Sequence, residues 1–196
     1  MHRFLLIVDG ISAAVGKAFG WCILILTLAI AYEVGARYVF RAPTDWAFDV
    51  SYMLYGALFM MAGAYTLARN GHVRGDFIYR YWPAKAQATV DLVLFFLFFF
   101  PGILALIYAG YNFAWLSWML NERSAFSPRG PVVWPFKMLI PIAGFFMLLQ
   151  GIAEVLRCIT CIRTGVWPPR LHDVEELEKV AAEEAMLKAR AERGHP

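Results

Sequence analysis

Charge is scarce in this 196-residue chain, where Asp, Glu, Lys and Arg together make up 17% against about 25% in an average soluble domain. Hydrophobic residues reach 60% and mean hydropathy is +0.54, an excess that one soluble core of this size cannot hide. A soluble globular enzyme is therefore excluded. The apolar residues come in long charge-poor blocks, which excludes a disordered scaffold too. A formal net charge of +3 is too small for a nucleic-acid surface, so no nucleic-acid partner is expected. Histidine is sparse: His2, His72, His172 and His195 all lie outside the apolar blocks. A membrane b-type cytochrome, which takes axial ligands from within its helices, is thereby excluded. His72 and Asp76 stand four apart, but two ligands make no firm metal site. Neither metal nor cofactor is expected.

Four apolar blocks are present, near residues 17–36, 47–67, 88–112 and 132–161. Each is long enough, at about 1.5 Å per residue, to cross about 30 Å of hydrocarbon. The pattern predicts an all-α integral membrane protein with four transmembrane helices over residues 1–165. Their interiors carry almost no charge, as expected where a central Arg, Lys or Asp adds about 2.5–3.5 kcal/mol on insertion scales. The acids Glu33, Asp49, Asp91 and Glu154 fall in first or last turns, where they are expected to reach headgroups or water. A segment over residues 2–16 is expected to lie at the interface, with Phe4, Leu5, Val8, Ile11 and Val15 facing lipid. It does not read as a cleavable signal peptide, because Asp9 interrupts its short apolar run.

Lys and Arg set the orientation. One side collects Arg3, Lys17, Arg69, Arg74, Arg80, Lys85, Arg157, Arg163 and Arg170, and the other Arg37, Arg41, Arg123, Arg129 and Lys137. Nine against five favours both termini in the cytoplasm. A different composition begins at Pro168–Pro169, and residues 166–196 read as a cytoplasmic tail with a charged helix. Its Asp173–Arg193 stretch holds seven acids and four bases, a net −3 that leaves +6 on residues 1–172. Glu175–Lys179 and Glu184–Lys188 have the favourable i, i+4 orientation.

Cys158 and Cys161 form a Cys-x-x-Cys pair, a spacing that can lower one thiol pKa and close a disulfide. On the expected cytoplasmic side disulfides are rarely kept, so helix packing is favoured, with a membrane thiol oxidoreductase as the alternative. Phe95, Phe96, Phe98, Phe99 and Phe100 cover every face of span three, which suits contact with lipid or a partner, with a kink near Pro101. Small residues around Gly56, Gly63 and Ala64 permit close helix approach in span two. In the first outer loop, two arginines, aromatics and Pro43 describe a rigid turn, where Arg37 can pair with Asp49 or with lipid phosphate.

Three stretches carry a family resemblance. Arg37-Tyr38-Val39-Phe40, with Pro43, Trp46 and the carboxylate Asp49, resembles the small membrane subunit of tripartite ATP-independent periplasmic (TRAP) transporters. Gly71-His72-Val73-Arg74-Gly75-Asp76 is similar to that family's His-Val-x-x-Asp stretch. Trp134-Pro135-Phe136-Lys137, with Pro141 and Gly144, is similar to its fourth-helix entry. The likeness covers roughly residues 5–162, with Asp49 where the family has glutamate and Gly75 where it has an apolar residue. It implies a non-catalytic subunit of a sodium-driven secondary transporter for organic acids in the bacterial inner membrane. It also implies two protein partners besides membrane lipids, a large permease subunit that this chain braces and a periplasmic substrate-binding protein. Arg37, Tyr38, Phe40, Pro43, Trp46, Asp49, His72, Arg74, Asp76, Trp134, Lys137 and Pro141 are the implied interface residues.

Overall fold

The computed structural model describes residues 2–71, 79, 81–127 and 130–168. The expected cytoplasmic tail lies outside them apart from residues 166–168, and its charged helix lies outside them entirely. Helix α1 (His2–Gly20) runs into α2 (Cys22–Tyr38) through Trp21, whose own backbone is helical at φ −64° and ψ −19°. Then come α3 (Ala47–Ala68), α4 (Ala84–Leu94), a π-helical turn (Phe95–Phe99), α5 (Phe100–Met119) and α6 (Trp134–Thr164). Four helical stretches are long and apolar enough to cross a membrane: Arg3–Tyr38, Ala47–Ala68, Ala84–Met119 and Trp134–Thr164.

The first and third of these have 36 residues each, about 54 Å of helix, and overrun the expected spans at both ends. Helices longer than the hydrocarbon is thick tilt or project from it. The α4–α5 join follows from Pro101: lacking an N–H, it cannot complete the α-helical ladder, and the turn before it widens to the π form. At the far ends, Asn70 and Asn121 take left-handed φ of 54° and 44°. They let Gly71 N–H reach Thr66 O (2.9 Å) and Glu122 N–H reach Ser117 O (3.0 Å), closing α3 and α5 with Schellman-type caps.

The spans stand in a row. Helices α1 and α2 pack along α3, α3 packs along α6, and α6 packs along α4 and α5. Among the described residues no packing seam joins α2 to α5, so the row does not close into a bundle. At one end α1 also crosses to α6, making the layer thicker there. That end carries Cys161 and the other carries Trp134. Glycines set the spacing: a Cβ on Gly56 would lie 2.6 Å from Phe136, one on Gly63 3.1 Å from Met147, and one on Gly144 2.6 Å from Ile107. Large apolar side chains consequently cover both outer edges, among them Ile25 and Leu28 on α2 and Phe96 and Phe98 in the π turn.

Candidate functional site

Polar groups gather in two places. The first is a buried seam between α1 and α6 toward the Cys161 end. Leu5, Val8, Asp9 and Ser12 share one face of α1 at helical spacing, and Gln150, Ala153, Glu154 and Arg157 share one face of α6. Leu5 and Val8 pack on Ala153 with Leu149 and Leu156 around them. Ser12 donates to Gln150 Oε1 (2.9 Å), and Gln150 Nε2 donates to Asp9 Oδ1 (2.9 Å) and Glu154 Oε1 (3.3 Å). Arg157 donates to Glu154 Oε1 at 2.5 Å and to Asp9 Oδ2. The Arg157 side chain is 0% exposed and those of its partners at most 2%.

Three expectations are corrected here. Glu154 is no headgroup-facing carboxylate, Arg157 is no rim cation, and Leu5 and Val8 face protein rather than lipid. The physical reason is the same for each. A charged or apolar side chain on an otherwise apolar helix finds its partner on the neighbouring helix, where pairing and burial replace water.

The second gathering is the rim at the Trp134 end. Arg37 pairs with Glu33, through Nε (2.9 Å) and Nη2 (2.6 Å), one turn back on its own helix. It does not pair with Asp49, which is fully buried at the start of α3 and accepts from the Ser124 hydroxyl. Glu33, too, is drawn inward: its second oxygen accepts the Thr44 hydroxyl and the Thr44 backbone N–H (3.1 Å). The 120–133 loop is held by a Ser124 N–H bond to Pro131 O (2.9 Å) and a Val133 N–H bond to Glu122 O (3.0 Å). Lys137 reaches back to Glu122 and lies 3.8 Å from the Phe113 ring centre. Its ammonium holds the Glu122 carboxyl below the usual carboxylate range.

Of the other residues singled out by resemblance, Trp46 stacks on Tyr32 (6.0 Å) and Trp134 meets Trp118 edge-on (4.2 Å). Tyr38 and Phe40 are three-quarters exposed. Pro43 lies in the exposed turn between α2 and α3, and Pro141, inside α6, packs over Gly110. His72, Arg74 and Asp76 lie outside the described residues. The Cys158 and Cys161 thiols are buried among Ala84, Ala88, Leu92, Ile162 and Trp167. Buried in apolar packing, they are shielded from the access that thiol exchange requires.

A chain that spends its polar side chains on tying a single layer of spans together is built as a membrane subunit rather than as a catalyst. The profile of one family, described as the DctQ component of tripartite ATP-independent periplasmic transporters, matches residues 26–161, and the chain belongs to that family. It is the small component of a TRAP transporter, a multi-pass inner-membrane protein and not an enzyme. The family works in a three-component complex with a permease and a binding protein. No curated protein sequence matches the chain.

Proposed function

We propose that this chain braces the large permease subunit of a sodium-driven transporter for organic acids without touching the substrate. The observation that carries this reading is the open row of spans. A layer of helices with large apolar side chains along its edges offers extensive surface to a neighbour, since membrane helices associate through packing rather than solvent exclusion. The buried ionisable groups Asp9, Glu154 and Arg157 are already paired with one another, whereas a transport path needs mid-membrane polar groups free to bind.

Both termini face the cytoplasm in this reading, and the Trp134 end faces the periplasm, where a binding protein delivers the substrate. Tyr38 and Phe40 serve as partner contacts, and Trp46, Pro43, Asp49, Trp134, Lys137 and Pro141 shape the rim that presents them. His72, Arg74 and Asp76 contact the partner on the cytoplasmic side. Co-purification from native membranes tests the assignment. The chain should carry a much larger multi-span protein with it, and the Tyr38→Ala/Phe40→Ala double variant should carry less at unchanged stability of its own. If deleting the chain left uptake of every organic acid tested intact, the assignment would be wrong.

A further inference from the structure

A groove of about 370 Å³ opens between α2 and α3 at the Trp134 end, lined by Ile30, Glu33, Val34, Arg37, Phe48 and neighbouring groups. We infer that it holds one phospholipid of the adjacent leaflet, its phosphate on Arg37 and an acyl chain along Ile30, Val34 and Phe48. Two observations carry the assignment. A guanidinium has five N–H donors in a planar fork, and Glu33 Oε1 takes only one from Nε and one from Nη2. The remaining fork is directed outward, because the Arg37 side chain is 55% exposed while that of Glu33 is 14% exposed. Glu33 thus orients the guanidinium and leaves donors for a second anion, a bridging role open to Arg and poorly filled by Lys.

The second observation is depth. Val34 and Ile30 lie about one and two turns deeper in α2 than Arg37, and both are about half exposed, while Phe48 across the groove is 62% exposed. A cationic rim above an apolar trough matches a headgroup above its chain. The site depends on neither the transport role nor the direction of insertion.

Native mass spectrometry of the purified full chain, titrated with palmitoyl-oleoyl phosphatidylglycerol, tests this. The comparator is palmitoyl-oleoyl glycerol, which has the chains and no phosphate. One phosphatidylglycerol adduct should persist and outlast the comparator. Arg37→Gln should weaken it by about tenfold, the scale of one charge-assisted contact, and Arg37→Lys should restore little. Val34→Trp, which fills the trough and leaves the guanidinium in place, should weaken it as well. Equal retention of both lipids, or an adduct unchanged in Arg37→Gln and Val34→Trp, would overturn the site. So would a loss confined to large-subunit co-purification in Arg37→Gln, since the fork would then serve a partner carboxylate.

Discussion

Arg157 donates to both Asp9 and Glu154 from a fully buried position, so its removal strands two carboxylates away from water. Breaking a buried ion pair from one side costs about 3–5 kcal/mol, whereas replacing all the charged members by apolar residues is often neutral or stabilising. Arg157→Ala should therefore lower the thermal unfolding midpoint in detergent sharply. The triple variant Asp9→Leu/Glu154→Leu/Arg157→Met should recover most of that loss. A triple variant as unstable as the single one would show that the charges do more than satisfy one another.

Glu122 gives a pH prediction of definite sign. Lys137 lowers its carboxyl pKa in the folded chain, so its stabilisation is present above the ordinary carboxylate value and is lost as pH falls through the lowered one. Acidification across that window should loosen the loop anchor, read by fluorescence of the adjoining Trp118–Trp134 pair. Glu122→Gln should remove that component of the pH response. Of all this, the sequence showed single charges near span ends, and each looked like an interfacial group. Asp9 and Arg157 meet across 148 positions, which no local pattern reveals. The signal that was present is the spacing of Gln150, Glu154 and Arg157: three polar groups on one face of an apolar helix.

At the scale of elements, small residues fix how near the helices come. Gly110 and Gly144 face each other's neighbours across α5 and α6, Ile140 lying over one and Ile107 over the other. Gly144→Leu should push these helices apart and destabilise the fold by about 1–3 kcal/mol, the usual cost of overpacking. Gly20→Ala and Gly102→Ala meet nothing within 4 Å, and the gain in helix propensity should leave them neutral or slightly stabilising. Thermal unfolding of the purified variants separates the two outcomes. The four spans were legible because hydropathy reports length and insertion directly. Their true starts were not: residues 2–16 are amphipathic, and that pattern alone does not say whether the second face meets lipid or another helix. Packing of Leu5 and Val8 on Ala153 decides it. Likewise Pro101 announced an irregularity in span three, and the structure puts it in the turn just before the proline as a π-helical widening.

For the whole molecule, the arrangement of spans matters more than any one residue. Among the described residues the helices stand in a row rather than a closed bundle, and the polar seam pairs Arg157 with Asp9 and Glu154. Family membership shows a TRAP component, and the bracing proposed above has the open layer serve as a wall against which another subunit moves. Hydropathy could count the spans but could not order them side by side, because the order rests on glycine contacts spread over three helices. The most direct measurement is uptake of a radiolabelled organic acid into proteoliposomes under an imposed sodium gradient, with the binding protein outside. The bracing account predicts no uptake with this chain alone, none with the large subunit alone, and uptake when both are reconstituted together. Uptake by this chain alone, or full uptake by the large subunit without it, would contradict the account.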